Sequence, residues 1–88
     1  MIRMPYGMFF EDMKIMTSYS DDAIDTIFEF LDDFDGEANY DPVNMTYEFH
    51  EYDSLEKACE DLDMSKKEIE DKYTILKMKN GGVVIWIV

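Results

Sequence analysis

The chain has little with which to do chemistry of its own. Its 88 residues include one cysteine, Cys59, and one histidine, His50, with two prolines and four glycines. A lone cysteine excludes an internal disulfide and suits a reducing compartment. One histidine and one cysteine make no zinc site without partners. His50 is expected on the polar face of a strand. Cys59 is expected on the inner side of a helix, where no base activates it and burial opposes ionisation. No glycine loop cradles a phosphate, because Gly81-Gly82 belongs to a turn, and no two carboxylates are singled out as an acid–base pair. The longest apolar run, Val83 to Val88, is far too short to span a membrane. Glu11, Asp12 and Lys14 interrupt the segment in which a signal peptide would need its apolar core. The expectation is a cytoplasmic protein that is not an enzyme and uses no cofactor, metal or membrane.

The other scarcity is of positive charge. Eight lysines and arginines stand against 21 acids, a formal net charge of −13. Between Ile15 and Glu56 there is no lysine or arginine. That stretch holds Asp21, Asp22, Asp25, Glu29, Asp32, Asp33, Asp35, Glu37, Asp41, Glu48, Glu51, Asp53 and Glu56. The remainder of the chain is balanced. Such a surface disfavours direct contact with nucleic acid or anionic lipid, and a basic protein surface is its natural complement. Aromatics at 15 % argue against an acidic disordered chain. One domain spanning residues 1–88 fits the length.

Periodicity supplies the elements. Phe9, Phe10, Met13 and Met16 recur at helical spacing, predicting a short helix after Pro5 and Gly7. Ser20 to Asp35 is the clearest helix, with Ser20 as cap, Asp21 and Asp22 at the positive end of the dipole, and Ile24, Ile27, Phe28, Leu31 and Phe34 as one apolar stripe. Gly36 is placed to end it. On a helical wheel Asp21, Asp22, Asp25, Glu29, Asp32 and Asp33 fall within roughly 120° of arc. Val43 to Tyr52 alternates, predicting a half-buried strand with Val43, Met45, Tyr47 and Phe49 on its inner face. Asp53 with Glu56 suggests a capping box before a helix whose inner face is Leu55, Ala58, Cys59 and Leu62; Ser65 with Glu68 suggests another, before a short helix to Lys72.

Asn80-Gly81 predicts a two-residue hairpin turn between Tyr73–Lys79 and Gly82–Val88, pairing Met78 with Val83, Leu76 with Ile85 and Ile75 with Trp86. One face then carries Tyr73, Ile75, Val84 and Trp86. Either the Met4–Phe10 segment folds over that face, or it is the interface of a homodimer or a partner. The expected architecture is α+β, a three-stranded antiparallel sheet of one strand plus the C-terminal hairpin, with three to four helices on one face.

Asp33, Asp35, Glu37, Asn39 and Asp41 alternate as calcium ligands do. Counted from Asp33, however, Ala38 and Asn44 stand where an EF-hand needs glycine and glutamate.

The acidic stretch leaves two readings open. It is a solvated face that keeps the protein soluble, or it imitates a polyanion. Carboxylates one helical turn apart lie about 5–6 Å from each other, near the scale of charge spacing on a nucleic-acid backbone. The candidate partner-binding residues are Asp21, Asp22, Asp25, Glu29, Asp32, Asp33, Asp35, Glu37, Asp41, Glu48 and Glu51.

From Ser18 to Leu62 the chain reads SYSDDAIDTIFEFLDDFDGEANYDPVNMTYEFHEYDSLEKACEDL, and it closes on YTILKMKNGGVVIWIV. The FEFLDD run, the following DPV, the EFHEYDSLEKACED segment and this hairpin resemble a group of short acidic proteins encoded by phages and prophages. The resemblance covers most of the chain and implies a source class, with the host cytoplasm as its place of action. Phages encode small acidic inhibitors of restriction enzymes, nucleases and CRISPR effectors. By class analogy, this implies a partner among host nucleic-acid-binding defence proteins.

Overall fold

A computed structural model describes residues 5–33 and 42–87. It contains five helices and a three-stranded antiparallel sheet: α1 (Tyr6–Met16), α2 (Asp21–Asp33), α3 (Pro42–Glu48), β1 (Phe49–Tyr52), α4 (Leu55–Leu62), α5 (Lys66–Lys72), β2 (Thr74–Lys77) and β3 (Val83–Trp86). The sheet order is β1-β3-β2, so the last strand lies in the middle. No helix among the described residues is long and apolar enough to cross a membrane.

The expected α+β class and the one-strand-plus-hairpin sheet are present. Three details differ. The first is α3, which occupies the first half of the expected strand. Met45 and Phe49 are 3 % and 2 % exposed, whereas Val43 and Tyr47 are 52 % and 74 % exposed. Burial thus steps by four residues, not two, and only Phe49 to Tyr52 is strand. Pro42 at the first helical position is favourable, since its missing N–H has no intrahelical partner there.

The second is the hairpin. The observed pairs are Thr74–Trp86, Ile75–Ile85, Leu76–Val84 and Lys77–Val83, one residue out from the expected register. The loop has three residues rather than two. Met78 N–H donates to Gly82 O at 2.9 Å, Gly81 N–H to Met78 O at 3.2 Å, and Gly81 has φ +90°. This is a turn closed by a left-handed glycine, an alternative way to join two strands. Asn80 Oδ1 takes the Gly82 N–H at 2.8 Å, so that this donor is satisfied within the loop, the Met78 carbonyl being taken by Gly81 N–H.

The third follows from the second. A one-residue slip moves side chains to the opposite face. Val84 and Trp86 join Leu76 and Met78 in a core with Phe9, Met13, Ala23, Ile24, Ile27, Leu31, Met45 and Phe49. Val83 and Ile85 point the other way, with Ile75, Tyr73 and Ile87, and pack with Ala58 and Ile69. The helices therefore cover both faces, α1–α3 on one and α4–α5 on the other. An apolar sheet face cannot stay wet, and the central strand β3 is apolar on both.

The caps fix the helix starts. Ala23 N–H donates to Ser20 Oγ at 3.2 Å, as expected of the α2 cap. The cap of α4 is Ser54, whose Oγ accepts Lys57 N–H at 3.2 Å, rather than Asp53. The α5 capping box is complete: Ser65 Oγ accepts Glu68 N–H at 3.2 Å and Glu68 Oε1 accepts Ser65 N–H at 3.0 Å. These bonds hold the Glu68 carboxyl below its ordinary pKa.

Candidate functional site

The acidic face of α2 is the site that the sequence singled out. Ala23, Ile24, Ile27 and Leu31 are buried, so the arc opposite them faces solvent. Asp21, Glu29, Asp32 and Asp33 are exposed, and Asp22 and Asp25 are half-buried. Glu48, at the end of α3, is exposed. Asp35, Glu37 and Asp41 lie outside the described residues, as do Phe34, Gly36 and most of the alternating calcium-like stretch.

The structure divides these acids into two groups. Asp21, Asp25 and Glu51 have partners within the protein. Lys14 Nζ lies 2.8 Å from Asp21 Oδ1, and the Tyr6 hydroxyl donates to Asp25 Oδ1. Glu51, half-buried on β1, accepts both the Ser20 N–H at 3.0 Å and the Ser20 hydroxyl at 2.5 Å. It is a structural carboxylate that ties the α2 cap to the sheet. Nothing local in the sequence announces these contacts, because each joins residues distant along the chain.

The second group is Glu29, Asp32 and Asp33, which stand on the last turns of α2. No lysine among the described residues pairs with them. The last turn of α2 holds no base. Asp25–Glu29 and Glu29–Asp33 repel at i,i+4 by a few tenths of a kcal/mol.

The tyrosines report the same field. Tyr6 is pushed up to about 12, first by its hydrogen bond to Asp25, then by burial and by the charges of Asp25 and Asp21. Tyr19 is raised further, by burial first and then by Glu51 and Glu48. Its hydroxyl donates to the carbonyls of Met45, at 2.9 Å, and Phe49.

The sheet separates charge as well as cores. In the α1–α3 layer the one described base is Lys14, against Glu11, Asp12, the α2 acids and Glu48. Lys57, Lys66, Lys67, Lys72, Lys77 and Lys79 all belong to α4, α5 and the hairpin.

The expected hairpin interface is not one surface. Tyr73 and Ile75 are half-buried on the α4–α5 side. Val84 is fully buried on the other side. Trp86 is half-buried there, stacked on Phe49 at 5.9 Å and met edge-on by Phe30 of α2 at 5.0 Å. The register slip explains the split.

His50 Nε2 lies 3.0 Å from the Tyr47 carbonyl, and Cys59 is half-buried. Among the described residues no three His, Cys, Asp or Glu side chains converge as metal ligands. Comparison of the chain with protein-family models, with curated proteins and with solved structures gives no match.

Proposed function

We propose that this protein is a non-catalytic inhibitor of the small acidic phage-encoded class its sequence resembles. It would act on a host nucleic-acid-binding defence protein, such as a restriction nuclease or CRISPR effector. The α2 face would occupy lysines and arginines that otherwise hold phosphates. The observation that carries this reading is the placement of Glu29, Asp32 and Asp33. They stand exposed with no lysine among the described residues paired to them, on a helix whose other face is buried and which carries no base to offset the repulsion of Glu29 by Asp25 and Asp33. A face kept only for solubility gains nothing from that placement, whereas a surface meant for a cationic partner does.

The alternative is an interaction module binding through the hairpin face. It has less support, because Val84 and Trp86 lie beneath α2.

The decisive experiment measures binding to purified nuclease effector complexes across a salt series, with duplex DNA as competitor. Binding should weaken steeply with salt and compete with DNA, because both ligands release counterions from one basic groove. A triple variant Glu29→Lys, Asp32→Lys, Asp33→Lys should lose it. Salt-independent affinity, or binding that survives the triple variant, refutes the mechanism.

A further inference from the structure

The two edges of the sheet are finished differently. In antiparallel pairing, alternate residues turn their backbone N–H and C=O away from the partner strand. On β1, Ile87 N–H donates to Glu48 O at 2.7 Å, so Phe49 and Glu51 face outward. That edge is covered in part: the Tyr19 hydroxyl caps the Phe49 carbonyl, and Ser20, bound to the Glu51 side chain, ties the start of α2 to this strand.

On β2, the Met78 N–H to Gly82 O bond sets the alternation. Leu76 and Thr74 exchange bonds with β3, so the backbone groups of Ile75 and Lys77 point outward. The outward N–H just before them, that of Tyr73, is taken by Ile69 O at 2.8 Å. Among the described residues no hydrogen bond reaches the outward groups of Ile75 or Lys77. Beside this edge, on the α4–α5 face, runs a groove of about 760 Å³ floored by Ile75 and Val83, with Glu56, Lys66, Glu70 and Lys77 around it.

We propose that the β2 edge and its groove form a homodimer interface. β2 pairs antiparallel with β2 of a second copy, about a two-fold axis through Leu76, and the two sheets become one.

An open strand edge is a template for another strand, and its self-complementarity selects a second copy. A two-fold contact must match itself. This patch carries both signs, Lys66 and Lys77 with Glu56 and Glu70, in a molecule whose other layer is nearly all acid. The backbone pattern also matches itself. Ile75 faces Lys77 of the second copy and Lys77 faces Ile75, each pair exchanging both bonds. At physiological ionic strength charges more than about 8 Å apart are largely screened, which limits repulsion between the two α2 faces.

The test is molecular mass against concentration, by sedimentation or light scattering. The wild type should rise from 10.4 kDa toward twice that value. Lys77→Pro removes an outward N–H from an exposed edge residue while sparing the β3 ladder, and it should stay monomeric. Hydrogen exchange on the wild type gives a second reading, independent of how the variant folds. The Ile75 and Lys77 amides should gain protection with concentration, whereas Leu76, already in the ladder, should not. A mass fixed at 10.4 kDa at every concentration overturns the proposal. So does an equally tight dimer of Lys77→Pro, or exchange at Ile75 and Lys77 that ignores concentration.

Discussion

The Glu51 carboxylate holds both donors of Ser20, its two oxygens accepting the backbone N–H at 3.0 Å and the hydroxyl at 2.5 Å. Ser20 in turn caps α2 through Ala23 N–H. A strand residue thus completes a helix cap from across the fold, where a capping box would use the helix's own third residue. Glu51→Ala and Ser20→Ala should each lower stability by about 1–2 kcal/mol. The double variant should cost less than the sum, because the two residues share one interaction. Urea titration of the three variants checks this, and additive losses contradict a shared cap.

Met45 and Val43 distinguish helix α3 from the strand that alternation alone suggests. A strand would bury both. The helix buries Met45 and leaves Val43 52 % exposed. Met45→Ala should therefore cost about 2–5 kcal/mol. Val43→Ala should stay within about 0.5 kcal/mol of wild type. Similar costs for the two would favour the strand.

How far the sequence discloses this fold depends on whether local or distant contacts decide each element. The Ser65–Glu68 box and the α2 stripe are written in adjacent residues; the box stands as read, and so does the stripe from Ile24 to Leu31, Phe34 lying outside the described residues. The span from Val43 to Phe49 fits two periods at once, since residues 45 and 49 share a face in a strand and in a helix. Packing of Met45 and Phe49 against the α1–α2 core resolves it, and Asp41-Pro42 was the local helix-start signal available. The hairpin register turned on one residue of loop length, which Asn80-Gly81 does not fix alone. That slip decided which residues share a face, and so it split Tyr73 and Ile75 from Val84 and Trp86. The acidic arc of α2 was legible. Its division into tied acids and unpaired ones was not, because Lys14, Tyr6 and Ser20 reach their partners only in the folded chain.

Gly82 marks where the hairpin meets β1. A Cβ there would stand 2.8 Å from the Tyr52 carbonyl oxygen and 2.5 Å from Met78 Cε. The Met78 tip can swing aside, but the Tyr52 backbone belongs to the β1 ladder. Gly82→Ala should destabilise by about 1–3 kcal/mol, the usual range for overpacking. A fall in Tm of several degrees per kcal/mol reports it at this chain length. An unchanged Tm would mean that the sheet end yields without cost.

Tyr6, Tyr19 and Tyr52 all have raised phenol pKa values. For Tyr52 the causes are burial first, then its hydrogen bond to Asp61 at 2.7 Å. A group whose pKa is higher folded than unfolded stabilises the fold below its unfolded value, about 10 for tyrosine, and loses that contribution as pH climbs through the folded value. Stability should therefore hold at neutral pH and fall as pH rises past about 10. Tyr19→Phe should be weaker at neutral pH by about 1–3 kcal/mol, since two carbonyls lose a donor. It should also show a shallower alkaline decline. Denaturant midpoints across alkaline pH test both, and equal slopes for variant and wild type would sink the assignment.

Glu29 separates the interests of the fold from those of the proposed partner. It repels Asp25 and Asp33 one turn away on either side, on a helix with no base. Glu29→Lys converts both repulsions into attractions and should raise stability by about 0.5–1.5 kcal/mol, visible as a higher Tm. The same change puts a cation in the centre of the exposed acidic arc, so affinity for a basic phosphate-binding groove should fall and the salt dependence of binding should flatten. A variant that is more stable yet binds less well is the signature of charge retained for a partner at the fold's expense. If Glu29→Lys is more stable and binds unchanged, the face serves solubility, and the partner must be sought elsewhere on the molecule.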